Sequence, residues 1–433
     1  MRRRDALKLG LAAGVTAAAA AALRLNGCGA LRDPSPTTVA RLTIAPIHVE
    51  LAPGVKLRSI AFGGTVPGNQ PIRGSELAAL EFHNNSDHDT VVHSSALANP
   101  MITIPARSHA QALLRTPIEA HTGVNLKSYR AYCAASGAIA SGVISVGAER
   151  GTSAFDQLQV LSIHRWQPRP IIRRAPFNET AIGYDYASFN DKLKSASDPI
   201  KVRYGDRVRF HFSNTNTLQG VTLGLPQHRF LVVALDGHIV PTPRHVERIY
   251  IGPAESVDAL VTMDRPGRWI LGATHRQDRS AGIGRLVEYA GATGNPVESE
   301  YGVADWDYSA FGVAGADAEP TSASLAASLP PLQVIRTHAL TDAQLCDPTP
   351  QFVPLKISAG QRYRLATTNL TRDPQSLQLL GHDVELVRIE GRRTVGVSKE
   401  VVTLPSFTRV EFEFEARTNE VFLAHNRQVS LRA

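Results

Sequence analysis

PIKVRYGDRVRFHFSN, from Pro199 to Asn214, is the stretch on which the reading of the fold turns. It reads as a strand, a glycine turn at Gly205, a second strand that alternates apolar with polar residues, and an asparagine that turns the chain. The same phrase returns as PLKISAGQRYRLATTN, from Pro354 to Asn369, and in a shorter form as PIRGSELAALEFHNN, from Pro71 to Asn85. A unit repeated at such intervals is the signature of consecutive similar domains, and three copies imply three of them. A second shared phrase follows each of the later copies. DGHIVPTPRHVERIYIGPAESVDALVTMDRPGRWIL (Asp236 to Leu271) matches EGRRTVGVSKEVVTLPSFTRVEFEFEARTNEVFL (Glu390 to Leu423) in layout.

The chain around these phrases is built from further short β-rich runs, among them ARLTIAPIHVELA, HRFLVVALDG, SVDALVTM and TRVEFEFEA, with Gly, Pro, Asn and Asp between them. Long amphipathic helical stretches are scarce, which points to sandwiches or barrels. Domains are expected at residues 42–150, 159–292 and 331–433, with an Ala-, Gly-, Ser- and Pro-rich linker at 293–330 in which ADWDYSAFG packs on a domain surface.

With 433 residues, 43% hydrophobic and 20% charged, the chain is an ordinary globular sequence, so disordered and collagen-like classes are excluded. The formal charge of +7 is mostly N-terminal: Arg2, Arg3, Arg4, Lys8 and Arg24 against Asp5 give +4 and leave +3 for the rest. With no basic run in the body, no nucleic-acid partner is expected. MRRRDALKLG followed by LAAGVTAAAAAAL reads as a positive region before a weakly apolar one, a targeting segment over residues 1–28. Arg3-Arg4-Asp5-Ala6-Leu7-Lys8 resembles the twin-arginine (Tat) export signal, and Leu25-Asn26-Gly27-Cys28 resembles a bacterial lipobox that would lipidate Cys28. No other stretch approaches the roughly 18 apolar residues of a membrane span, so membrane association is expected only through that anchor, and the location is the periplasm or cell envelope. Cys133 and Cys346 remain, which is no dense disulfide framework.

Taken together, AFGGTVPGNQPIRG in the first domain and HRFLVVALDG, VPTP, IGPAESVDALV and PGRWILGAT in the second resemble, in order and spacing, the multicopper oxidase superfamily that includes laccases. The resemblance spans essentially the whole mature chain. It implies an all-β fold of three consecutive cupredoxin-like Greek-key β-sandwich domains. It also implies a mononuclear copper held by two histidines and a cysteine thiolate, and a trinuclear cluster held by His-x-His pairs. Thiolate and imidazole suit copper in both redox states, and His-x-His on a strand puts both rings on one face.

This chain departs from that pattern at the ligands. The first His-x-His falls on His93-Ser94-Ser95, and the second on Tyr132-Cys133-Ala134. In the last domain Gln375, Gln378 and Leu380 stand where histidines are implied; a shifted alignment offers Asp373, Ser376 and Gln378, again without one. His382 survives at a position the family does not use as a ligand. The final motif falls on Leu423-Ala424-His425, with Ala424 in place of the thiolate. Independently of any alignment, no two of the fifteen histidines are spaced i, i+2.

His93 and His425 are therefore the remnant metal candidates, with Cys133 near in motif terms. The competing reading makes them hydrogen-bonded histidines of a domain interface. His83, His88 and His93 read as surface residues facing different ways, Cys133 as a small buried apolar residue, and His275 with Arg276, Asp278 and Arg279 as a solvated loop. No nucleophile elbow, Walker loop, HExxH or dinucleotide fingerprint supplies a substitute catalytic centre. No cofactor is expected, with copper as the alternative. The expected function is a non-catalytic binding or scaffolding protein of the envelope, its partner an envelope protein or small ligand; the alternative is a copper-dependent, laccase-like oxidoreductase. The family also includes a copper-free, Tat-exported member acting in bacterial cell division, which this chain resembles in architecture and ligand loss.

Overall fold

Three buried asparagines mark the repeat. Asn84, Asn214 and Asn369 are fully buried, and each donates its side-chain amide to backbone carbonyls of a neighbouring loop. Asn214 Nδ2 reaches Gln219 O at 2.8 Å, Gly252 O at 3.0 Å and Ile251 O at 3.3 Å. Asn369 Nδ2 reaches Leu404 O and Pro405 O, both at 3.0 Å. In the first copy the tie is Asn84, while Asn85, where the sequence phrase ends, is exposed. Each amide satisfies carbonyls that a turning chain would otherwise bury unpaired.

The computed structural model describes residues 39–63, 72–73, 79–114, 125–133, 138–146, 155–173, 179–216, 219–313, 332–338, 351–370, 374–425 and 430–431. Residues 1–28, on which the export reading and Cys28 fall, and Cys346 lie outside the described residues. So does the stretch 314–331.

Among the described residues six sheets pair into three sandwiches. The first sandwich sets a sheet in the order Val55–Phe62, Val39–Ala52, Ala79–Asn84, Ser108–Leu113 against Ile72–Arg73, Ala138–Val146, Asn125–Cys133, Thr90–His93, Met101–Ile104. In each sandwich the opening strand lies parallel to the strand carrying the tie asparagine or leading to it: Val39–Ala52 on Ala79–Asn84, Gln157–Arg173 on Arg207–Asn214, and Leu332–His338 on Arg362–Thr368. The fold is thus all-β, three cupredoxin-like Greek-key sandwiches in series.

Burial differs between the copies for a physical reason. Arg409–Glu415 of the third sandwich alternates buried and accessible residues, as a sheet with one wet face does. Arg207–Asn214 and Ser256–Thr262 of the second are buried almost throughout. On the face away from the Val208, Phe210 and Phe212 core, Arg209 Nη2 meets Asp258 Oδ2 at 2.8 Å and His211 Nδ1 meets Asp258 Oδ1 at 2.6 Å. Burial works against the Asp258 carboxylate, but Arg209 and His211 outweigh it and hold its pKa below the usual value.

Two hairpins of the second shared phrase are equivalent. Asp236 and Gly237 both have positive φ (48° and 78°), as do Glu390 and Gly391 (51° and 80°), the geometry of a two-residue turn of the primed type. Gly237 has a further reason to be glycine: a Cβ there would lie 2.7 Å from Leu126 O in the first sandwich.

Residues 293–313 do more than connect. Val297–Glu298 adds a short strand to the second sandwich, and Tyr308 and Phe311 are buried in an apolar cluster shared by the second and third. Thr242 Oγ1 donates to Gly312 O at 2.6 Å, and Val313 N to Val395 O at 3.0 Å, so the segment is wedged between two sandwiches. Among the described residues no helix is long and apolar enough to cross a membrane.

Candidate functional site

Two of the implied ligand positions, His93 and Gln378, come together. His93, at the end of its strand in the first sandwich, lines an enclosed cavity with Gln378 of the third sandwich. Arg130, Asp236 and Glu400 complete its polar wall, so all three sandwiches contribute. The cavity holds about 10 Å³, at the lower edge of what one water molecule needs. Ser95, at the other implied position beside His93, donates its hydroxyl to Glu400. His425 ends the strand Glu420–His425, in register with Leu377 and Gln351; its side chain lies outside the described residues, as do those of Tyr132 and Ala424.

His93 is thus half-buried at a junction and not, as the sequence suggested, a surface residue. Burial, helped by the positive charge of Arg130, lowers its pKa to about 3. The same two causes lower His164 of the second sandwich to about 3, and its Nε2 lies 3.3 Å from Ser141 Oγ in the first. Both imidazoles are neutral at ordinary pH. His83 is half-buried, 3.0 Å from Glu81 and stacked on His109, whereas His88 and His275 are exposed. His382 packs edge-on to Phe414 and accepts from Arg417 N at 3.1 Å, a histidine satisfied by its core. Cys133 is a buried free thiol in the first core.

What fills the junction is charge. Lys127, on the strand Asn125–Cys133, places Nζ 2.5 Å from Glu400 Oε1, 2.9 Å from His238 Nε2 and 3.2 Å from Asp236 O. Arg130, three residues on, donates from Nη2 to Ala254 O at 2.6 Å. Lys399 sits 3.0 Å from both Asp236 and Glu255. Burial opposes its charge, but those two carboxylates more than compensate and raise its pKa. Asp236 also accepts from the backbone N–H of Ser256 at 2.8 Å and of Val401 at 3.2 Å, tying the second sandwich to the third. Glu255 accepts from the Tyr308 hydroxyl at 2.6 Å; burial and this carboxylate push the phenol's pKa well up.

Sequence reasoning missed these residues because each is an unremarkable charge taken alone. The available signal was position: Lys399 and Glu400 interrupt the apolar run VGVSKEVVTL, and Lys127 and Arg130 sit in a strand flanked by Leu126, Ala131 and Cys133. An ionisable group in such a run is buried only if paired. Away from the junction, an open groove of about 780 Å³ on the second sandwich is lined by Lys201, Arg203, Asp206, Glu288 and Tyr289.

Residues 174–288 match the family model described as Multicopper oxidase. The multicopper oxidase MmcO of Mycobacterium tuberculosis (strain ATCC 25618 / H37Rv) is 25% identical over 230 residues, a match covering 52% of this chain and 44% of that relative's length. Among solved structures, a multi-copper oxidase from Pseudomonas Thermotolerans superposes with a TM-score of 0.63 at 18% identity, covering 90% of this chain and 95% of that one. Lac15 from a marine microbial metagenome superposes at 0.59 with 17% identity, covering 90% and 97%. The second sandwich is thus similar to the multicopper oxidase family over residues 174–288, and the chain as a whole shares the fold of these solved multicopper oxidases.

Proposed function

We propose that this protein is an exported, copper-free relative of the multicopper oxidases that works by binding or scaffolding in the cell envelope. The observation that carries the reading is the junction itself. Where the resemblance puts imidazoles around copper, this chain supplies His93 with Gln378, Ser95 and a buried guanidinium. Copper of either redox state favours imidazole and thiolate donors, and a fixed positive charge opposes any cation. The donor set therefore does not fit the trinuclear cluster, and Ala424 offers nothing to the mononuclear site, so the binding role involves no electron transfer through copper.

The charged groups give the junction a structural use. Arg130, Lys127 and Lys399 pair with carboxylates and carbonyls drawn from other sandwiches, which fixes the mutual placement of three surfaces that a partner could read. The Tat-like segment and the lipobox-like Leu25-Asn26-Gly27-Cys28 support an envelope location, with Cys28 as the lipid-bearing residue.

The second reading, a copper-dependent oxidoreductase, is favoured by the company the chain keeps, since the relatives it resembles are named as multicopper oxidases. The two separate in an oxygen-consumption assay with a phenolic electron donor. The mature protein supplied with copper should consume no oxygen above copper in buffer, and turnover abolished by a copper chelator would support the oxidoreductase.

A further inference from the structure

His238, Asp383 and Glu400 each offer one donor atom, and the three atoms lie within 4.8 Å of one another. None of them stands where the resemblance puts a copper ligand. An imidazole with two carboxylates is a donor set for a borderline divalent ion such as zinc, which would need these atoms at about 2.0–2.2 Å. Into the middle of the three projects a cation already present in the chain. The Lys127 ammonium is 2.5 Å from Glu400, 2.9 Å from His238 and 3.8 Å from Asp383. Its stem is seated closely: a Cβ on Gly237 would come within 3.1 Å of Lys127 Cδ.

We propose that Lys127 is the resident cation of a divalent-metal constellation made by His238, Asp383 and Glu400, so that the native chain closes this site with its own ammonium and loss of the ammonium opens it to a metal. Two carboxylates and an imidazole at one partly buried point call for positive charge, and an ammonium and a metal ion are alternative ways to supply it. The inference rests on the geometry around Lys127 and stands apart from whether copper binds near His93.

The test uses zinc, which is redox-silent, on the full mature chain. Wild type, dialysed against zinc and then against buffer, should retain none. Lys127→Ala should retain about one ion per chain, melt at a higher temperature with zinc than without, and lose both properties when His238→Ala is added. A folded Lys127→Ala that holds no more zinc than wild type would overturn the proposal, as would uptake indifferent to His238→Ala. Should Lys127→Ala fail to fold, Lys127→Met keeps the packing of the stem; recovery of either variant by zinc supports the proposal, and failure of both with zinc as without counts against it.

Discussion

His93 and Arg130 are paired in register on neighbouring strands of the first sandwich, and both line the same buried cavity. An imidazole that would donate its lone pair to copper in the pattern this chain resembles instead shares a small space with a permanent cation. Arg130 in turn spends a hydrogen bond on Ala254 of the second sandwich. A position to which the resemblance assigns a ligand is here part of a charged interface.

Lys399 is the most tightly enclosed of the junction's cations, 1% exposed and 3.0 Å from each of Asp236 and Glu255. Lys399→Met fills much of the same volume but leaves two carboxylates buried without their cation. Removing one partner of such a group costs about 3–5 kcal/mol. Urea unfolding should show a loss of that order, and a loss below about 1 kcal/mol would mean that solvent screens the pair.

His164 makes stability depend on pH in a definite direction. Its pKa falls from 6.5 to about 3 on folding, because burial and then Arg130 disfavour the charged ring; Ser141 and Trp166 beside it are uncharged. Between those values the unfolded chain takes up a proton that the folded chain refuses, so its contribution is complete above pH 6.5 and is lost as pH falls toward 3. His164→Gln should flatten that part of the profile while leaving the slope above about pH 7 unchanged. Urea midpoints from about pH 8 to about pH 4 measure this, and identical slopes for the two proteins would refute it.

Asn214→Ala removes an amide that serves three backbone carbonyls, two of them buried, and should cost about 1–3 kcal/mol. Asn85→Ala, at an exposed position one residue from the corresponding tie, should change stability by less than about 0.5 kcal/mol. Thermal melts of the two variants make the comparison, and equal losses would show that the amide ties are not what the repeat preserves.

That pair of asparagines illustrates what the sequence makes legible. The strand, glycine turn and alternating strand of PIKVRYGDRVRFHFSN are local properties, so the three sandwiches and the paired Asp236-Gly237 and Glu390-Gly391 turns can be read directly. Choosing Asn84 over Asn85 requires knowing which side chain faces a loop twenty residues away. The junction is harder still. Lys127, Asp236 and Glu400 are separated by more than a hundred residues each, and nothing local to any of them announces the others. The ligand positions that the resemblance implies are visible because a motif says where to look; the charges around them follow no motif.

The most direct test is the copper content of the mature protein purified from copper-supplemented cells. Far less than one copper per chain and no blue thiolate-to-copper absorption are expected, with His93→Gln leaving the content unchanged. About one or more copper per chain, lost on His93→Gln, would contradict this.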